Sequence, residues 1–335
     1  MSASLAEPLI AAAAPTPRDV AAWTRSVEPL RFFVGGRDLG ALHIPALTLN
    51  VPFTHLSTSL EDTAPPWETL PPEIEAAVVP AQPVDNDPPR LALPPGMVRY
   101  VGPATTRFFV DLRGTFTEYL HKFGAKQRYD MTRKPRKFAE FSGGQIQWRE
   151  FRSADELQLF YCLANQISER SWGVELGGHG FAGRVSEAEL QELAGRDLAR
   201  GYVLFHGDRP VAYVFCREQH EHLLYQYIAY DQDYAKWSPG AVLLYLILER
   251  LFEEREYEFL DLGEGTLGYK SFFSNRSIRC VRVIYFRRTP RNLAIACTHH
   301  ALCATSVAAG RLLAQIGLKQ GIRHWLMGKM RRPGQ

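Results

Sequence analysis

Three observations predict a mixed α/β fold for this 335-residue chain. Two pairs of β-forming runs each close on a glycine-containing turn, and three Ser/Thr-x-x-Glu boxes mark helix starts. Between Tyr202 and Lys270 the pattern runs strand, strand, strand, helix, strand, loop, an order in which strand ends and a helix start converge.

The elements follow in chain order. Residues 1–18 are rich in Ala and Pro and are expected to be disordered. Leu30 to His43 reads as a hairpin around Gly35-Gly36-Arg37-Asp38, inside an N-terminal half spanning 19–110. Residues 61–96 hold ten of the 22 prolines, which predicts an extended linker rather than a packed element. The boxes Thr115/Glu118, Ser153/Glu156 and Ser186/Glu189 start three helices, and Gly201 is expected to close the third. Residues 111–150 form a basic helical connector, and within its positions 122–137 Lys122, Lys126, Arg128, Arg133, Lys134, Arg136 and Lys137 stand against Asp130 as the one acid. Such a run is either a solvated helix face or a site where Arg128 and Arg133 pair with phosphates or an acidic acceptor.

The second half, 151–290, carries the informative stretch. Gly201 to Cys216 is a hairpin around His206-Gly207-Asp208-Arg209, and its turn mirrors the one at Gly35. That similarity is either a weak internal repeat or chance between two hairpins. A strand at 223–230 leads through Asp231–Trp237 into a helix ending near Arg255. A strand at 258–262 then ends in Gly263-Glu-Gly-Thr-Leu-Gly-Tyr-Lys270, read as an exposed, tightly turned loop, and Ile278–Phe286 is a further strand. Residues 291–335 form a basic helical tail.

The helix start at Ser238-Pro239-Gly240-Ala241 is the chemically suggestive piece. Ser238 suits the N-cap and Pro239 the first helical position. Gly240 and Ala241 leave the backbone approachable, and no acid follows before Leu248. Bare amides at the positive end of a helix dipole form an anion site. The plainer alternative is a cap that only starts a buried helix.

Three segments carry a family resemblance: Lys126-Gln-Arg-Tyr-Asp-Met-Thr-Arg-Lys-Pro-Arg-Lys137, Tyr234-Ala-Lys-Trp-Ser-Pro-Gly240 with its helix, and Asp261-Leu-Gly-Glu-Gly265 with Tyr269-Lys270. Together, over about 111–285, the chain resembles the GNAT-like acetyltransferases of the CelD/BcsL type, linked to polysaccharide biosynthesis and related to the FemAB transferases. It departs from the phosphate loop Arg/Gln-x-x-Gly-x-Gly/Ala. Lys236 takes the first position and Pro239 the central glycine, so only Ala241 fits.

The resemblance implies a GNAT-type fold with two tandem halves, the first degenerate, and an acyl-CoA-dependent N-acyltransferase. Acetyl-CoA or another acyl-CoA would be co-substrate, its pyrophosphate at Lys236, Ser238, Pro239, Gly240 and Ala241 and its pantetheine along Tyr227 and Ile228. An acceptor amine would attack the thioester directly. Tyr269 would be the general acid for the leaving thiolate, Glu264 the base, Asp261 a brace of the loop and Lys270 a group holding phosphate or acceptor. Arg128 and Arg133 would contact the acceptor, with Trp172 a wall of its site or else a core residue. The acceptor would be a glycan or small-molecule amine. Two other readings stand beside this one: a transferase using aminoacyl-tRNA, the only nucleic acid expected, and a non-catalytic module of a glycan-synthesis assembly at a membrane surface.

Composition sets the limits. With 46% hydrophobic and 22% charged residues the chain is an ordinary globular sequence. Five cysteines without framework spacing point to a reducing compartment, and the acid-bearing, Arg-free first seventeen residues are unlike a signal peptide, so a cytoplasmic location is expected. The net charge of +3 is uneven. From Arg287 onward there are nine Lys or Arg and no acid, leaving 30 basic against 36 acidic residues before it. Such a tail is either a solvated arm or a contact for an anionic membrane surface, which would make the protein peripheral. Cys297, His299, His300 and Cys303 are metal-type residues at unfavourable helical spacing, so no metal is expected.

Overall fold

The computed structural model describes residues 23–34, 37–49, 60, 63–68, 70–171, 180–219, 222–265 and 267–315. In chain order the strands are β1 (Thr24–Val34), β2 (Arg37–Thr48), β3 (Ala76–Pro83), β4 (Leu91–Ala92), β5 (Met97–Asp111), β6 (Gln147–Phe151), β7 (Ala199–His206), β8 (Arg209–Gln219), β9 (His222–Tyr230), β10 (Phe259–Glu264) and β11 (Arg276–Arg287). The helices are α1 (Phe116–His121), α2 (Ala125–Phe141), α3 (Ala154–Glu169), α4 (Glu187–Gly195), α5 (Pro239–Glu254), α6 (Gly268–Phe273) and α7 (Pro290–Gln315), with a 3-10 turn at Gln232–Trp237 before α5. The fold is mixed α/β. The chain divides into two compact units: residues 1–105 with 279–335, and residues 106–278.

In the first unit β1 and β2 form an antiparallel hairpin, and β2 then pairs parallel with β3 over Ala46–Thr48 and Ala76–Val78. β3 pairs antiparallel with β11, which neighbours β5. β3 lies inside the proline-rich stretch that composition assigns to a linker. It escapes that reading because Ala76, Ala77, Val78, Val79 and Ala81 are buried between neighbours. Pro80 and Pro83 bracket positions whose register with β11 shifts between Val281 and Val283. Prolines are tolerated where a ladder is already irregular.

In the second unit the strand order is β6-β7-β8-β9-β10-β5. One face carries α1, α2, α5 and α6 over a core that includes Tyr119, Met131, Phe138, Leu243, Ile247 and Phe273. The other carries α3 and α4 over Phe151, Phe160, Phe181, Leu190 and Phe215. The boxes at Thr115/Glu118 and Ser153/Glu156 form in full. At Ser186 only the hydroxyl half forms, accepting from Glu189 N–H.

Gly201 does not close a helix. α4 ends at Gly195, and Gly201 lies within β7, where a Cβ would stand 2.4 Å from the Phe160 ring. The glycine therefore serves packing of α3 onto the strand rather than capping.

Candidate active site in the second unit

β9 pairs antiparallel with β8 along its whole length, with one irregularity. Tyr227 faces Phe215 and Tyr225 faces Cys216, so Gln226 has no opposite residue and forms a bulge. The extra residue reverses the alternation of faces. Tyr225 joins the core beneath α5, whereas Tyr227 packs with the cluster under α3, its ring stacked on Phe215. Tyr227 thus belongs to the opposite face from Ile228 and Tyr230, and the strand offers the α5 face Tyr225, Ile228 and Tyr230.

On its other edge β9 pairs parallel with β10, at His222–Leu224 against Phe259–Asp261, and there the pairing stops. Both strands continue, β9 to Tyr230 and β10 to Glu264, with β10 held instead by β5 through Gly263–Phe108 and Glu264–Arg107. The two strands therefore part, leaving the second half of β9 without a strand neighbour on that edge among the described residues. Freed N–H and C=O groups at such an opening are available to an extended ligand.

α5 starts where β9 ends. Ser238 differs from the expected N-cap: it sits in the left-handed region (φ 53°, ψ 50°) and its side chain makes no cap hydrogen bond. Its carbonyl instead accepts from Ala241 and Val242 N–H. A non-glycine residue held left-handed costs about 1–2 kcal/mol and marks a turn fixed by its surroundings. No acid lies in the first turn, and no side chain caps the helix. Pro239 is buried, and a Cβ on Gly240 would stand 3.6 Å from the Tyr230 ring, which is itself 36% exposed. Lys236 is exposed, with Nζ 5.4 Å from the Trp237 ring centroid.

This approach is anchored by groups the sequence reading did not single out. Buried Asp231 accepts from Arg209 (Nη2, 2.6 Å), stands 3.2 Å from Arg170 Nε, and takes the Asp233 N–H on Oδ1. Phe141 at the end of α2 is sandwiched between His206 and Trp237, at 4.3 and 4.2 Å between ring centroids. The pattern Asp231-x-Asp233 is a local turn signal; the aromatic sandwich joins three distant segments and has none.

Across the opening, the loop expected at 263–270 is in part helical. Gly263 and Gly265 take φ of 75° and 120°, a backbone that favours glycine, and α6 follows. Tyr269 sits in the first turn of α6 with its ring 6.1 Å from that of Tyr225, and burial pushes its hydroxyl up to about 12. A phenol in that state is a proton donor at neutral pH and not a base. Asp261 is buried and ion-paired with Arg107, whose Nε lies 2.9 Å from Oδ2, while Oδ1 accepts from Gly263 N–H at 2.8 Å. Lys270 donates to the Glu264 carbonyl at 2.6 Å, and burial lowers its affinity for its proton. Asp261 and Lys270 thus hold the glycine turn from either side, and the Glu264 side chain is half-buried at its edge.

Arg128 and Arg133 do not converge. Five residues apart on continuous α2, their side chains diverge by about 140°. Arg133 pairs with Asp130 at 3.4 Å and stacks over Tyr129. Trp172 lies outside the described residues. Among the described residues no group of metal-type side chains gathers. His299 instead bonds Tyr100 (2.7 Å) and the Arg31 carbonyl (3.0 Å) within the first unit. No helix among the described residues is long and apolar enough to cross a membrane.

No curated protein sequence matches the chain. Several solved structures are similar in part, three of them as follows. FemX shares 12% identity over 84% of this chain and 92% of its own, with a TM-score of 0.50. L-PGS from Bacillus licheniformis shares 14% over 66% and 71%, at 0.44. A tandem GNAT protein from the clavulanic acid biosynthesis pathway shares 14% over 77% and 82%, at 0.37. Residues 125–271 match the family described as the acetyltransferase (GNAT) domain. That segment contains α2, the parted strands β9 and β10, the start of α5 and Tyr269, and its match supports an acyltransferase enzyme.

Proposed function

We propose that the second unit transfers an acyl group from acyl-CoA to an amine. The observation that carries this reading is the parting of β9 from β10 directly before the uncapped start of α5. A pantetheine arm would take the open edge of β9 beside Ile228, and the pyrophosphate the α5 amides near Gly240. The amine nitrogen attacks the thioester carbonyl, polarised by β9 amides. The C–N bond forms and the C–S bond breaks. Glu264 takes the amine proton, and Tyr269 gives its hydroxyl proton to the departing sulfur. Solvent then restores both groups.

An amino-sugar acceptor in polysaccharide biosynthesis is supported by the CelD/BcsL resemblance and by nothing in the geometry. A second donor, aminoacyl-tRNA, draws support from the exposed cations of α2, Lys126, Arg136 and Lys137. Contact of residues 291–335 with an anionic membrane is supported by their charge alone; residues 316–335 lie outside the described residues.

Calorimetric titration with acetyl-CoA and desulfo-CoA tests the donor. Wild type is expected to bind one equivalent, and Gly240→Glu to lose at least about tenfold in affinity by placing a carboxylate at the dipole's positive end. Absence of binding, with salt-dependent binding of tRNA in its place, would transfer the reading to the second donor.

A further inference from the structure

α6 is six residues long, too short to persist by its own hydrogen bonds. No side chain caps its start, where Leu267 stands at the N-cap. Its last carbonyls, which a helix leaves without internal partners, are both taken by side chains from far upstream. Gln127 Nε2 of α2 donates to the Phe272 carbonyl at 2.6 Å. The hydroxyl of Tyr119 on α1 donates to the Phe273 carbonyl at 2.6 Å. Lys134, two turns beyond Gln127 on the same face of α2, sets its ammonium 4.7 Å from the Phe272 ring centroid. At the other end Lys270 ties the helix back to the Glu264 carbonyl.

Tyr119 is 1% exposed and cannot be replaced by water without opening the core. Its ring is wedged among Phe116, Phe123 and Phe252, so the hydroxyl direction is fixed by packing. Gln127 lies on the buried stripe of α2 with Met131, Lys134, Pro135 and Phe138. The basic helix therefore turns Lys126, Arg136 and Lys137 outward and offers α6 the neutral amide of Gln127 beside the Lys134 ammonium. These contacts fix both the rotation and the axial position of the short helix, and so the position of the Tyr269 hydroxyl near β9.

We infer that Gln127 and Tyr119 are positioning residues for acyl transfer, acting through the α6 carbonyls to hold Tyr269 against the parted edge of β9. The inference rests on the acyl-transfer reading above. It extends that reading to two residues that touch neither donor nor acceptor.

The test uses the full chain and follows thiol release from acetyl-CoA to hydroxylamine, a small nucleophile that needs no acceptor pocket, above the uncatalysed background. Gln127→Leu and Tyr119→Phe are expected to lower kcat about tenfold each, with the calorimetric affinity for desulfo-CoA unchanged. Gln127→Lys, which keeps a donor, is expected to recover most of the rate. In a Tyr269→Phe background Gln127→Leu should add no further loss, since both changes remove one contribution. Wild-type kcat in Gln127→Leu and Tyr119→Phe, or full additivity with Tyr269→Phe, overturns the positioning role and leaves acyl transfer standing. A wild-type protein that neither binds nor turns over acetyl-CoA overturns the acyl-transfer reading, and the positioning role with it.

Discussion

Both units place an antiparallel hairpin beside a strand that pairs with it in parallel for three residues, yet only in the second does the pair open. In the first unit the pairing uses the last three residues of β2, Ala46–Thr48, so β2 ends as the contact ends. In the second unit it uses the first three residues of β9, and six more follow with no strand on that edge among the described residues. The difference is one of phase, not of composition or pairing strength. Leu47, Ala77 and Val79 fill the first unit's contact with core, whereas the second unit's contact leads into Ile228, Tyr230 and Gly240 with exposed surface. A shared strand pattern thus ends with its contact in one place and leaves an open strand edge in the other.

Ordered by size, five substitutions would break or sharpen that contrast. Tyr269→Phe is expected to lower turnover by about two to four orders of magnitude, the range for a lost general acid, with donor affinity retained. Thr48→Val, at the end of the closed pair, should leave turnover at the wild-type value. Because burial holds the Tyr269 proton up to about 12, the rate should not fall between about pH 8 and pH 10 on this group's account. A descending limb there that survives in Tyr269→Phe would assign the acid elsewhere.

Asp261→Ala removes the ion pair between β10 and Arg107 of β5, beside the glycine turn. Breaking a buried pair by removing one member costs about 3–5 kcal/mol; Arg107 is 16% exposed, which puts the expectation near the lower end. Urea denaturation would read this directly, and a cost below about 1 kcal/mol would show that the ion pair does not hold the turn.

The smallest effect contrasts two strand glycines. Gly201→Ala in β7 pushes a methyl into the Phe160 ring and should cost about 1–3 kcal/mol. Gly102→Ala in β5 meets Arg282 at 3.4 Å and should change stability by about 1 kcal/mol or less. Equal costs would mean that α3 shifts to make room.

Much of the local structure was legible beforehand. Both hairpins, the boxes at Thr115 and Ser153, the course of β9 and the start of α5 at Pro239 all follow from residues within a turn or two of one another. The local rules failed where distant chain intervened. Ser238 satisfies every rule for a hydrogen-bonding cap, yet it turns left-handed with its hydroxyl unused. The 263–270 segment looks like loop because its glycines are visible, and the side chains that donate to the α6 carbonyls lie 145 and 154 residues upstream of them.

By itself, then, the sequence determined element types, the anion-friendly composition of the α5 start and the presence of a tyrosine after the glycine turn. These depend on backbone sterics and short-range hydrogen bonding, which the neighbouring residues dictate. Tertiary structure alone decided where β9 leaves β10 and which faces the Gln226 bulge gives to Tyr225 and Tyr227. It also decided that α2 supplies the Gln127 amide to an α6 carbonyl, beside the Lys134 ammonium on the Phe272 ring. Register and packing join segments far apart in the chain, and their energies depend on partners that no local pattern names.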